Sequence, residues 1–129
     1  MAFKLINATE AKSGTTVMID GSACTIRSND ISKTGKHGHA KCRIEAIGIF
    51  DGKKKVLVVP GHERMEVPMI DKRKAQVLSV ADKANVMDNE SFETLEVDID
   101  DSIKRDIKAE NQIEYWDIEG RKIIKRILG

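Results

Sequence analysis

Aromatic side chains are scarce in this chain: three Phe, one Tyr and one Trp among 129 residues. Aliphatic side chains must therefore fill any core, and a hydrophobic content of 40% supplies enough of them for one ordinary domain or two small ones. Long apolar runs are also missing. The longest, Val56-Leu57-Val58-Val59, is far too short to cross a bilayer, which excludes a helical membrane span. The opening Met1-Ala2-Phe3-Lys4-Leu5 has neither a sustained apolar stretch nor a cleavage pattern, so a cytoplasmic location is expected. Cysteine is limited to Cys24 and Cys42, and two cysteines in a reducing compartment are expected as free buried thiols.

Charge is plentiful but uneven. Residues 1–70 carry 11 basic and 7 acidic groups, a net +4, whereas residues 71–129 carry 11 and 14, a net −3. The basic excess gathers at Lys33, Lys36, Lys41 and Arg43, followed by Lys53, Lys54 and Lys55. That cluster is either a surface for a phosphate backbone or a solvated face that keeps the chain soluble, and charge alone does not choose.

The first half has the period of strands. "TTVMID", "SACTIRSN", "AKCRIEAIGIF" and "KKVLVVPG" are β-branched or alternating runs separated by Gly, Asp, Asn or Pro. The Asp51-Gly52 pair predicts a two-residue hairpin between antiparallel neighbours. Several short strands at close spacing argue for a small barrel. A boundary is expected at Ile70 to Asp71, where Pro68 and a charged step coincide with the change in charge balance. Beyond it, "KAQVLSVAD", "NVMDN" and "SFETLEVDI" read as strands, and "IKRDIKAE" as a short helix capped by Ser102 or Asp101, with Ile103 and Ile107 on one face. "NQIEYWDI", a Glu119-Gly120 turn and "RKIIKRIL" form a final hairpin. This order suits a five-stranded oligonucleotide-binding type of barrel, or an unrelated small one.

Between the second and third strand runs lies "SKTGKHGHAK", residues 32–41. Gly35 and Gly38 bracket Lys36 and His37, so the segment reads as a tight polar loop that presents Lys36 at its tip. It is not a phosphate-binding loop: that pattern needs Gly where Asp30 stands and Ser or Thr where His37 stands. A zinc site from His37, His39, Cys42 and His62 lacks paired ligand hairpins, and two histidines one residue apart on a strand would point opposite ways. Cys42 with His62 as a nucleophilic pair is weaker still, because alternation would bury Cys42 beside Ile44 as a small hydrophobe.

Those ten residues closely resemble the modification loop of the translation factor 5A family, the archaeal and eukaryotic counterpart of bacterial elongation factor P. The likeness extends over "VMIDGSACTIRSNDISKTGKHGHAKCRIEAIGIFDGKKK" and into "VPMIDKRKAQVLSV", and the short chain without an acidic leader resembles the archaeal type. The resemblance implies an all-β fold, with an SH3-like barrel at 1–70 carrying the loop and an OB-fold barrel with one short helix at 71–129. It implies that Lys36 receives a 4-aminobutyl group from spermidine through deoxyhypusine synthase, giving deoxyhypusine or, after hydroxylation, hypusine. Lys33, Thr34, Gly35, His37, Gly38, His39 and Lys41 are then loop and tRNA-contact candidates.

No catalytic residue, metal or separate cofactor is implied. The implied partners are the ribosome, through its RNA and proteins, and the peptidyl-tRNA, whose acceptor end the modified arm would steady from the exit-side tRNA site when proline runs stall synthesis. The expected state is a monomer, with no membrane association. A general RNA-binding or RNA-chaperone protein is the alternative, with Tyr115 and Trp116 as stacking candidates. Neighbours on a strand face opposite sides, so one of the two is expected in the core. An enzyme is a third class that no motif here supports.

Overall fold

Alternating residues become strands because successive side chains leave opposite faces of the backbone. The computed structural model describes residues 3–33 and 40–129, and the chain divides into two units, Met1–Met69 and Ile70–Gly129. In the first, β2 (Thr16–Ile19), β3 (Ser22–Lys33), β4 (Ala40–Gly48) and β5 (Lys54–Pro60) form an antiparallel sheet in that order. Asp20 and Gly21, both at positive φ, turn β2 tightly into β3, the backbone a two-residue hairpin requires. A second, two-stranded sheet pairs β1 (Phe3–Asn7) with β6 (Arg64–Pro68), and a 3-10 helix (Ala8–Glu10) follows β1.

The sheets share one core. Cys42, Ile44 and Ala46 of β4 are fully buried, with Val17, Cys24 and Ile26 from β2 and β3, and Ile6 and Met65 from the two-stranded sheet. Complete burial of an aliphatic side chain such as Ile44 contributes about 1.5–3 kcal/mol. The run Val56-Leu57-Val58-Val59 is not buried as a block. Leu57 and Val59 pack inward, while Val56 and Val58 on edge strand β5 face out.

The second unit is a closed five-stranded barrel of β7 (Ile70–Val80), β8 (Ala84–Asp88), β9 (Thr94–Ile99), β10 (Gln112–Ile118) and β11 (Arg121–Ile127). Around the barrel the strands run β7-β8-β9-β11-β10 and back to β7, with β9 and β11 parallel and every other pair antiparallel. This is the oligonucleotide-binding type of barrel. Closure leaves it without an exposed edge. Ala75, Val77, Val86, Val97, Ile113, Tyr115 and Ile124 fill its interior.

Two expectations are corrected. The short helix over "IKRDIKAE" is absent: residues 101–106 form successive turns, with Ile103 N–H donating to Asp100 O (3.0 Å) and Asp106 N–H to Ile103 O (2.9 Å). Asp100, rather than Asp101 or Ser102, caps the segment by accepting the Ser102 amide (2.9 Å) and hydroxyl (2.7 Å). Ile103 and Ile107 still reach the core, so their spacing reflects two contacts with the barrel rather than one helical face. The Asp51-Gly52 pair does not make a two-residue hairpin either. β4 ends at Gly48 and β5 begins at Lys54, leaving residues 49–53 as the connection, because Asp51 Oδ1 accepts the Lys53 amide (2.9 Å) and Gly52, at φ +66°, closes back on Gly48 O (3.0 Å).

Candidate functional site

The stem beneath the glycine-bracketed segment is the long β3–β4 ribbon. Its register runs from Cys24 opposite Gly48 to Lys33 opposite Ala40, with an irregularity between Ile26 and Ser28. Strand β2 accompanies β3 only as far as Thr25, so the distal part of β3 has β4 as its single ladder partner. Asp30, Ile31, Ser32 and Lys33 are exposed, as are Lys41 and Arg43 across the ribbon. Lys36 lies outside the described residues, and so do Thr34, Gly35, His37, Gly38 and His39.

Register separates the basic residues that composition had grouped. Lys41 and Arg43 share one face of β4, beside Val58 of β5, whereas Lys33 stands on the other face opposite Ala40. Arg43 and Lys54 both reach Glu45 Oε1, at 3.4 and 3.3 Å, and Ser28 Oγ donates to Oε2 at 3.2 Å. Hydrogen bonding and charge from Lys54, then the Ser28 hydroxyl and Arg43, lower the Glu45 pKa. Among the described residues Lys33 and Lys41 have no acidic partner. They are the uncompensated cations at the distal end of the stem.

Cys42 sits between these charges in sequence but points into the core beside Ile44, and Cys24 is likewise a free buried thiol. Burial raises both thiol pKa values, which suits packing and opposes nucleophilic chemistry. Among the described residues no group of three His, Cys, Asp or Glu side chains could hold a metal ion.

Sequence patterning missed the groups that anchor the stem. Asn29 Nδ2 donates to the carbonyls of Ala8 (2.8 Å) and Ala11 (3.0 Å), tying β3 to the 3-10 segment. On the other arm, Gly61 N–H donates to Ala40 O (2.7 Å), while Gly61 O accepts the Thr9 amide (3.2 Å). A Cβ on Gly61 would meet Thr9 Cγ2 at 2.8 Å and Ala40 Cβ at 3.0 Å, so this close approach favours glycine. Asparagine inside a strand, where it is a poor former, was the one available signal.

The two stacking candidates separate as alternation requires. Tyr115 is 1% exposed in the second core, its hydroxyl donating to Asp88 Oδ2 (2.5 Å), and Asp88 is gripped by Arg73 through Nε (2.6 Å) and Nη2 (3.0 Å). Trp116 leaves the other face of β10. Its Nε1–H donates to Glu114 Oε1 (3.0 Å), and Lys72 and Lys125 place their ammonium groups 4.6 and 5.4 Å from the ring centroid. Cation–π contact with both lysines ties the indole to its own barrel, and paired stacking by Tyr115 and Trp116 is ruled out.

Known proteins agree with this geometry along nearly its whole length. The family described as "Translation initiation factor 5A-like, N-terminal" matches residues 4–63. Translation initiation factor 5A of Metallosphaera sedula is 44% identical over 121 residues, 92% of this chain and 92% of that protein. This chain belongs to the translation initiation factor 5A family. The solved structure of the translation initiation factor 5A from Methanococcus jannaschii superposes with a TM-score of 0.87 at 41% identity, covering 98% of this chain and 95% of that one. A translation initiation factor 5A family protein from Naegleria fowleri gives a TM-score of 0.77 at 28% identity, covering 98% and 99%. Membership assigns the chain to protein synthesis as a translation factor, and several of its relatives are archaeal. No helix of the described residues is long and apolar enough to cross a membrane.

Proposed function

We propose that this translation initiation factor 5A family member acts on the ribosome through Lys36, carrying an aminobutyl group transferred from spermidine by deoxyhypusine synthase. The arm approaches the acceptor end of the peptidyl-tRNA from the exit-side tRNA site and holds it in a reactive geometry when proline runs stall synthesis. Peptide-bond formation stays with the ribosome, and the factor contributes orientation. A bare lysine offers one compact ammonium, whereas the modified side chain offers two amines on a longer reach suited to a phosphate backbone. The protein works as a monomer in the cytoplasm, and Lys33 and Lys41, with Thr34, Gly35, His37, Gly38 and His39, frame the arm.

The observation that carries this reading is the match of "SKTGKHGHAK" to the family's modification loop, set on a stem whose last cations, Lys33 and Lys41, are exposed and unpaired among the described residues. The substitution Lys36→Arg tests it. Arginine keeps the charge but cannot accept the aminobutyl group. Protein from its native cell should show the adduct on Lys36 alone by peptide mass spectrometry. Lys36→Arg should keep its thermal stability and lose stimulation of a reconstituted translation reaction on a proline-run message. Full stimulation by the folded variant would eliminate the modified-lysine mechanism in favour of general RNA binding, in which one charge among several adds only a similar increment.

A further inference from the structure

We infer that Asn29 is a positioning residue for Lys36: its side-chain amide, together with the backbone of Gly61, pins both arms of the β3–β4 stem to the Ala8–Ala11 segment and so sets the direction of the stem at Lys33 and Ala40, between which Lys36 lies in sequence. The inference rests on Lys36 being the modified residue.

Ladder hydrogen bonds alone do not fix that direction. Past Thr25 the β3 strand has lost β2 and becomes an edge strand held by β4 alone, while β4 keeps β5 as far as Lys41 opposite Pro60, so β3 is the arm that the ladder secures on one side only. Asn29 makes its two bonds to Ala8 and Ala11 within this edge stretch, four residues before Lys33. Across the ribbon, Ala40, the first residue of β4, receives the Gly61 amide, and the same Gly61 takes the Thr9 amide on its carbonyl. Ala8 N–H also donates to Glu63 O at 2.8 Å. One short segment thus brackets β3 through a side chain and β4 through a backbone contact.

The chemistry of Asn29 shows what is being selected at that position. Its Oδ1 is buried without a hydrogen-bond partner among the described residues, an unfavourable arrangement that an apolar side chain would avoid. An apolar residue would, however, take the side-chain donor from the Ala11 carbonyl and leave the Ala8 carbonyl with the Ala11 amide alone. Asparagine is also disfavoured in strands. Two local disadvantages are tolerated for one bifurcated amide, and that amide joins the stem to the body of the unit.

The kinetic consequence follows from populations. An enzyme that must thread one lysine binds only the stem geometries that present it, so the apparent binding constant worsens by the fraction of molecules in that geometry, while the chemical step within the complex is unchanged. Loosening the bracket should therefore raise KM for the chain and leave kcat alone.

The test uses unmodified full-length chain as substrate for deoxyhypusine synthase with spermidine, read by intact mass over time. Asn29→Asp is nearly isosteric and loses both donors; Asn29→Leu removes the orphan acceptor as well. Each should raise KM about fivefold or more at unchanged kcat. Amide exchange at Ile31 and Lys41 should quicken by about tenfold, with the core of the sheet unaffected. Val17→Ala, a core truncation away from the stem, serves as the control and should leave KM unchanged despite a lower melting temperature. If wild type is modified while both Asn29 variants keep its KM, or if Val17→Ala raises KM equally, the positioning role is overturned and the modified-lysine reading stands. If wild type accepts no aminobutyl group, that reading falls and takes the role with it.

Discussion

Replacing Tyr115 with Phe removes one oxygen from the interior of the second barrel and changes little else in its shape. Tyr115 and Asp88 are each 1% exposed, and the hydroxyl-to-carboxylate distance is 2.5 Å. Asp88 also accepts Arg73 Nε and Nη2 and the amides of Glu90 (2.8 Å) and Ser91 (3.0 Å), so it keeps four donors in the variant. The loss is one hydrogen bond to an ionised group, with no unpaired charge left behind and no large cavity. That places the cost near the lower end of the range for such bonds, about 1.5–2 kcal/mol. For a unit as small as Ile70–Gly129, this corresponds to a melting-temperature drop of about 10 °C.

Trp116 is the chain's single tryptophan and stands next to Tyr115 on β10, so its fluorescence during heating reports this unit alone. The pH dependence gives a second signature. Burial first, and then the Asp88 carboxylate, push the Tyr115 pKa from 10.0 up to about 12. A raised pKa means that the fold prefers the protonated phenol. Its stabilising contribution is complete below pH 10 and is lost as pH rises toward 12, so the gap between wild type and Tyr115→Phe should narrow over that window. A melting-temperature change under about 2 °C at neutral pH, or a gap that stays constant from pH 10 to 12, would refute the argument.

Two further outcomes are expected. Cys24 and Cys42 are buried thiols with raised pKa values, so a thiol reagent should label neither in the native protein at neutral pH and both after denaturation; rapid native labelling would show that the core opens or the assignment is wrong. Gly48→Ala should cost about 1–2 kcal/mol in urea unfolding, because the new Cβ would lie 1.9 Å from Asp51 Oδ1 and displace the oxygen that holds the Lys53 amide. In an Asp51→Ala background, where that oxygen is already gone, the same substitution should cost distinctly less, and strict additivity would contradict the steric explanation.

Much of the first unit was written in neighbouring residues. Alternation in "TTVMID", "SACTIRSN", "AKCRIEAIGIF" and "KKVLVVPG" located β2 to β5, since period-two patterning is a local property that burial of one face enforces. Glu119-Gly120 likewise joins β10 to β11 through two residues at positive φ. The resemblance of "SKTGKHGHAK" to the family's loop is legible because it is a contiguous string. Strands β1 and β6 left no such trace. Each is short, and Phe3 finds Pro68 only after the intervening sheet has brought them together. Ile103 and Ile107 show the converse error, in which a helical spacing arose from two separate contacts with a barrel wall.

Alternation also established that Tyr115 and Trp116 must face opposite ways, but it could not say which one enters the core. Barrel closure decided that, because pairing β10 with both β7 and β11 sets one face of the strand against Val77 and Ile124 and leaves the other outside. The same limit hid Asn29 and Asp88. A polar side chain's own neighbours state that it needs partners; carbonyls 18 and 21 positions away, or an arginine 15 away, become those partners only when the folded backbone brings them within hydrogen-bonding distance.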